Sequence, residues 1–245
     1  MNRIKPTNFL ILPFIFSLLN GDEDYGAIGT SRPGAANPTS SIPTGLYQFE
    51  IGANFTTNQG GIDTSITFPI LIRMGLFNNT EWQVGFSNKY LTLGILYGEI
   101  SIIDGLENSF IFTTSLTQNN DSFTEYNVYL PISYSFRNGF SIWGQVAGNF
   151  YNAEEKDPVL SYTLAMGNSL GDKTSWFFEA YQSRPMDQEN NNNDPPISVD
   201  YGITYLSDNN VQFDISMGIT FEKDNDNYTE ASRFLEWGFS FRLPE

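Results

Sequence analysis

The side chains that could do chemistry in this sequence are carboxylates. Glu50, Glu81, Glu125, Glu179, Asp200, Asp214 and Glu236 fall among small polar residues, and Arg32, Arg73 and Arg242 are the cations that could meet them. Carboxylates in a shared site can pass protons, bind a cation, or sort passing ions by sign. They have no His or Cys to work with, because the chain contains neither. That removes the commonest general base, every Ser-His-Asp triad, disulfides and thiolate metal sites. No carboxylate pair is singled out by its spacing. Asp224, Asp226 and Glu230 resemble a calcium loop only loosely, since the turn glycine is missing, and they read as solvated loop acids. Neither catalysis, a cofactor nor a bound metal is expected. A formal net charge of −16 also sets nucleic acid aside as a partner.

The elements that place these groups are strands. In Val211–Phe221 the odd positions Val211, Phe213, Ile215, Met217, Ile219 and Phe221 are apolar, and the even ones are polar or small. Successive strand side chains point to opposite faces, so this stretch has one apolar face and one wet face. Its length suits a tilted strand crossing a bilayer. Comparable stretches recur about a dozen times. Leu46–Phe55 sends out Tyr47, Phe49, Ile51, Ala53 and Phe55, and Ser65–Leu76 sends out Ile66, Phe68, Ile70, Ile72 and Met74. Further strands gather around Trp82, Leu93, Phe112, Leu130, Val146, Leu164, Trp176, Tyr201 and Trp237. None of the outward sets contains a charge, as a lipid-facing surface requires.

The connections alternate. Phe77–Thr80, Ile103–Glu107, Arg137–Gly139, Gly171–Thr174 and Ser207–Asn210 are short, and Asp-Gly or Asn-Gly pairs mark tight hairpins. Thr117–Ser122, Asn152–Pro158, Ser183–Pro196 (with the Asn190–Asn193 tract) and Glu222–Glu230 are mostly longer. The expected fold is all-β: a transmembrane antiparallel up-and-down barrel of about 12 strands over residues 46–245. An even count places both termini on the short-turn, periplasmic side. Three features put lipid outside. The polar faces are mostly Gly, Ser, Thr, Asn and Gln, whereas a soluble surface is usually rich in Lys and Glu. Tyr47, Trp82, Trp176, Tyr205 and Trp237 lie near strand ends as an aromatic girdle. A barrel of this size lined with apolar groups would enclose a dry void. Charged residues at 16% and aromatics at 16% fit the same picture.

Residues 1–20 read as a signal peptide, with Arg3 and Lys5 before an apolar run. Residues 21–45 lack periodicity and form an irregular segment, a candidate lumen plug in which Arg32 meets acidic lumen groups. Arg73 falls within reach of Glu50 and Glu81 if the hairpins pair as their turns suggest, and the expectation is a structural clamp. The bulky inward residues Tyr129, Phe177 and Tyr181 argue against a wide pore.

Two stretches resemble a bacterial outer-membrane transporter-like family named for the meta-pathway of phenol degradation. The first is Ser31-Arg32-Pro33, then Ile42-Pro43-Thr44-Gly45, then Gln48 to Gly52. The second is Arg73-Met74-Gly75-Leu76, then Glu81, then Leu91 to Gly94 and Tyr97. Ser31 stands where the family usually has Asp, and Gln83 and Leu96 where basic residues are common. The resemblance implies an outer-membrane barrel that helps small hydrophobic or aromatic molecules cross. The expected partners are outer-membrane lipid and lipopolysaccharide, the barrel-assembly machinery at the C-terminal strand, and a small solute. Two readings remain open. One is passive passage of small molecules, with inward carboxylates favouring cationic or neutral solutes. The other is a structural or surface-interaction barrel with a closed lumen.

Overall fold

The computed structural model describes residues 25–245 apart from 33, 59–60, 62, 78, 89, 118–123, 154–155, 187–194, 225–226 and 245. The signal-peptide reading, the Asn190–Asn193 tract and Asp226 lie outside the described residues. The strands are β1 (Leu46–Asn58), β2 (Thr64–Thr67), β3 (Ile70–Phe77), β4 (Thr80–Phe86), β5 (Tyr90–Ile103), β6 (Leu106–Thr117) and β7 (Thr124–Ser135). They continue as β8 (Phe140–Tyr151), β9 (Val159–Ser169), β10 (Thr174–Pro185), β11 (Ile197–Asp208), β12 (Val211–Asp224) and β13 (Asn227–Pro244).

From β3 onward each strand pairs antiparallel with the next, and β13 returns to β1 from Leu46↔Pro244 to Asn58↔Ser232. The sheet therefore closes and has no free end. Both β2 and β3 lie along β1, so they form one interrupted stave and the barrel is twelve-stranded. The sequence pattern predicts one continuous strand over Ser65–Leu76, but the structure breaks it at Phe68-Pro69. Proline has no amide hydrogen to give the ladder, so the strand ends on one side of it and restarts on the other. The Asn88 side chain takes over locally, accepting from the Phe68 amide at 3.2 Å and donating to the Ile66 carbonyl at 3.0 Å.

A second correction concerns Glu222–Glu230. Instead of a loop, this stretch extends the β12–β13 hairpin out to Asp224↔Asn227, after a register shift between Thr220 and Phe221. A bulge of this kind lets an outer hairpin twist away from the wall below it. The short turns use left-handed glycines where the Asp-Gly and Asn-Gly signals stand, with φ of 80° at Gly105 and 82° at Gly139.

The burial pattern is inverted relative to a water-soluble barrel. Leu164, Tyr201, Leu130 and Ile215 are 65%, 56%, 52% and 49% exposed, whereas Glu50, Glu81 and Arg73 are at most 1% exposed. The outer wall is a continuous apolar belt with no aqueous rationale, and the interior is built mostly from polar side chains, with Leu96, Ile111 and Phe177 among them. No described helix is long and apolar enough to cross a membrane. Strands do so in a closed barrel, because closure satisfies every backbone group without water.

Candidate functional site

The lumen takes its shape from one guanidinium. Arg73 points inward from β3 between Gln48 of β1 and Gln83 of β4, its register partners. Its Nε and Nη2 donate to the two Glu81 oxygens at 2.7 and 2.8 Å. Nη1 donates to Glu50 Oε1 at 3.3 Å and to the Gly29 carbonyl at 2.9 Å, and Nη2 to the Ser40 carbonyl at 3.1 Å. Five bonds thus match the five donors of the side chain. The carboxylates are equally engaged. Glu81 also accepts from Gln83 and from the Ile42 amide, and Glu50 from Gln48 and the Ser31 amide. Such a network tolerates burial because the guanidinium and both carboxylates are paired, and only the Gln48 Oε1 among these side chains has no partner among the described residues.

Four of those partners, Gly29, Ser31, Ser40 and Ile42, belong to the segment before β1. That segment runs inside the barrel and follows its wall. At the short-turn end the Ile28 amide donates to the Asn209 carbonyl and Arg242 donates to the Gly26 carbonyl. Gln212 of β12 then donates to Thr30 Oγ1 at 2.7 Å. Glu179 of β10 accepts from the Ala35 amide at 2.5 Å, and Gln145 of β8 accepts from both Asn37 nitrogens at 2.9 and 3.0 Å. Thr39 meets Ser133 of β7 at 3.0 Å, and Ser109 of β6 donates to the Pro38 carbonyl at 3.2 Å. The wall is recessed where the main chain touches it. A Cβ on Gly98 would lie 2.7 Å from the Thr39 carbonyl, and Gly75 lies directly under the Pro43 carbonyl.

This segment divides the lumen. A cavity of about 540 Å³ lies toward the long-loop end, lined by Thr92, Ser115, Glu125, Asn127 and Tyr129 among others. A second, of about 480 Å³, lies toward the short-turn end, lined by Ser133, Ser141, Asn168, Phe177 and Thr204 among others. Arg32 and Asn37 line both cavities, so the partition is thin at those residues.

The other carboxylates are less firmly held. Arg32 lies 3.9 Å from Asp214 and 4.0 Å from Glu236. Glu179 also accepts from the inward Trp143 indole at 3.2 Å, and Glu125 accepts from Asn149 at 3.1 Å. Asp200 is 3% exposed and one of its oxygens has no hydrogen-bond partner among the described residues. Arg242 is occupied by Asn210 and by two carbonyls, those of Gly26 and Asn209. Glu230 pairs with the exposed Arg233 at 2.7 Å. Among the described residues no cluster of three or more His, Cys, Asp or Glu is set to hold a metal.

Four of the five aromatic positions, Tyr47, Trp82, Trp176 and Tyr205, lie at the short-turn end. Trp237 does not lie near a strand end. It pairs with Ala53 and Ile215 in the middle of the wall and is 48% exposed. The long-loop end has its own ring of Phe86, Tyr126 and Phe150, each about 40% exposed, which the strand-end reading passed over. Also missed were Gln48 and Gln83. Alternation carries the signal for both, because each lies two residues from Glu50 or Glu81 and so on the same face.

A family model described as "Putative MetA-pathway of phenol degradation" matches residues 105–239, more than half of the chain. No curated protein matches the chain. Several solved structures share the fold. A NanC porin aligns with a TM-score of 0.63 at 10% identity, over 80% of this chain and 100% of its own. An outer membrane channel from Pseudomonas putida F1 aligns at 0.59 and 11% identity, over 85% of this chain and 100% of its own. A CymD monoaromatic hydrocarbon channel aligns at 0.54 and 7% identity, over 83% of this chain and 89% of its own.

Proposed function

From the premise that the chain belongs to this phenol-degradation family, we propose that it is an outer-membrane channel for passive passage of small molecules, closed at rest by residues 26–45. The observation that carries this reading is the divided lumen. Two cavities reach inward from opposite ends and stop at the same residues, Arg32 and Asn37. A barrel with a purely structural role has no use for two deep cavities separated by a thin partition.

The chain termini and short turns face the periplasm in this reading, and the longer loops face outward. Seven inward carboxylates against Arg32, Arg73 and Arg242 give the path a negative balance, which favours neutral and cationic solutes. A small aromatic solute, such as the relative named for monoaromatic hydrocarbons suggests, is compatible where it is neutral. Tyr129 and Phe177 each line one of the two cavities and take up room in them, which favours small molecules.

Liposome swelling tests the reading. Vesicles carrying the chain without residues 21–44 swell in small neutral or cationic solutes faster than vesicles carrying the full chain. If neither form admits any solute, the barrel is structural and the proposal falls.

A further inference from the structure

We propose that the lumen contains a guanidinium-binding site, which Arg32 occupies as a tethered stand-in for a cationic solute. The inference rests on the channel reading and names a solute class for it. Gly52 of β1 and Gly238 of β13 face each other in register. A Cβ on Gly238 would lie 2.7 Å from Arg32 Nε, and one on Gly52 would run into the guanidinium carbon. The wall is thus hollowed on two adjacent strands where a flat cation rests.

Asp214, the register partner of Gly238 on β12, forms the back of this hollow. It is 6% exposed, and neither of its oxygens accepts a hydrogen bond among the described residues. A buried carboxylate without donors is costly, and Arg32 relieves it only in part, through a long ion pair and no hydrogen bond. Arg32 Nε stays 3.9 Å away and itself finds no acceptor. The rest of the side chain reaches the Trp237 carbonyl at 3.2 Å, Asn54 at 3.5 Å and Glu236 at 4.0 Å.

Arg73 shows what a committed guanidinium looks like in the same lumen: its five bonds lie between 2.7 and 3.3 Å. Arg32 fits less well because its main chain is pinned elsewhere, with the Ser31 amide on Glu50 and the Arg32 carbonyl bonded by Thr30 and Gln212. An untethered guanidinium can settle closer and pair with Asp214 through two parallel bonds. Glu236 and Asn54 open onto the long-loop cavity, so a solute arriving from that side meets the site first.

Calorimetric titration of the detergent-solubilised protein with methylguanidinium tests the inference. A tethered competitor acts at an effective concentration of about millimolar or above. R32S is therefore expected to bind methylguanidinium about tenfold more tightly than wild type, a difference of about 1.4 kcal/mol. R32A also empties the hollow and gives the same result should R32S fold poorly. R32K retains a tethered cation and binds as weakly as wild type, and R32S/D214N loses the gain. Tetramethylammonium, a cation without donors, binds none of them. Equal affinity in wild type, R32S and R32A, or an unchanged gain in R32S/D214N, overturns the site. Binding does not require passage. Tight binding with no liposome swelling removes the channel reading and leaves the site, whereas swelling without binding removes the site alone.

Discussion

Replacing Arg73 with Met keeps a long side chain and deletes the charge at the centre of the lumen network. The guanidinium makes five hydrogen bonds, three of them to Glu50 and Glu81, and all three side chains are at most 1% exposed. At about 1.5–3 kcal/mol for each bond to a charged group, the five would sum to about 8–15 kcal/mol. That sum overstates the loss, because the cost of burying the arginine disappears with it. What persists is two buried carboxylates that have lost their cation, and half-broken buried pairs of this kind cost about 3–5 kcal/mol. R73M is expected to lose about that much in urea unfolding from lipid vesicles, followed by tryptophan fluorescence. The triple variant R73M/E50Q/E81Q leaves no charge behind and recovers most of it. A loss below about 1 kcal/mol for R73M, the scale of an exposed pair, would refute the idea that this arginine holds wall and inner segment together.

Three further outcomes follow from the same geometry. G238A puts a methyl 2.7 Å from Arg32 Nε, so it should dislodge the partition and make channel openings more frequent in single-channel records; an unchanged record contradicts that. Ile215 is 49% exposed at mid-wall, so I215K should cost about 2–4 kcal/mol in the vesicle urea titration, and a neutral result would mean that this face does not meet hydrocarbon. In single-tryptophan variants, Trp237 should be quenched best by lipids brominated deep in the acyl chain and Trp82 by lipids labelled near the headgroup, and the reverse order would misplace the membrane.

The wall was legible in the sequence because its signal is local. Alternation along Val211–Phe221 fixes which side chains share a face whatever the strand is paired with, and the Asp-Gly and Asn-Gly turns fix the order of pairing. The Arg73 contacts with Glu50 and Glu81 follow from hairpin register, since only 23 and 8 residues separate them. Pro69 was in plain view inside a continuous pattern, and a missing amide there outweighs five well-spaced apolar residues. Trp237 reads as a rim residue when Glu222–Glu230 is taken as a loop and the last strand starts near Leu235, whereas the β12–β13 hairpin runs on to Asp224↔Asn227 and leaves Trp237 mid-wall. The path of the inner segment was not legible. Arg32 meets the Trp237 carbonyl across 205 residues, Ala35 meets Glu179 across 144 and Asn37 meets Gln145 across 108. Those contacts depend on barrel diameter and strand stagger, and no sequence period encodes either. The family match over residues 105–239 likewise lies beyond the opening motifs that carry the resemblance.

The central claim is that residues 26–45 are what closes an otherwise passable barrel. Single-channel current across a planar bilayer in a potassium chloride gradient, recorded for the full chain and for the chain lacking residues 21–44, tests it most directly. The full chain should be nearly silent, and the shortened one should carry a steady current with a cation-selective reversal potential. Equal currents from the two, or an anion-selective shortened channel, would contradict it.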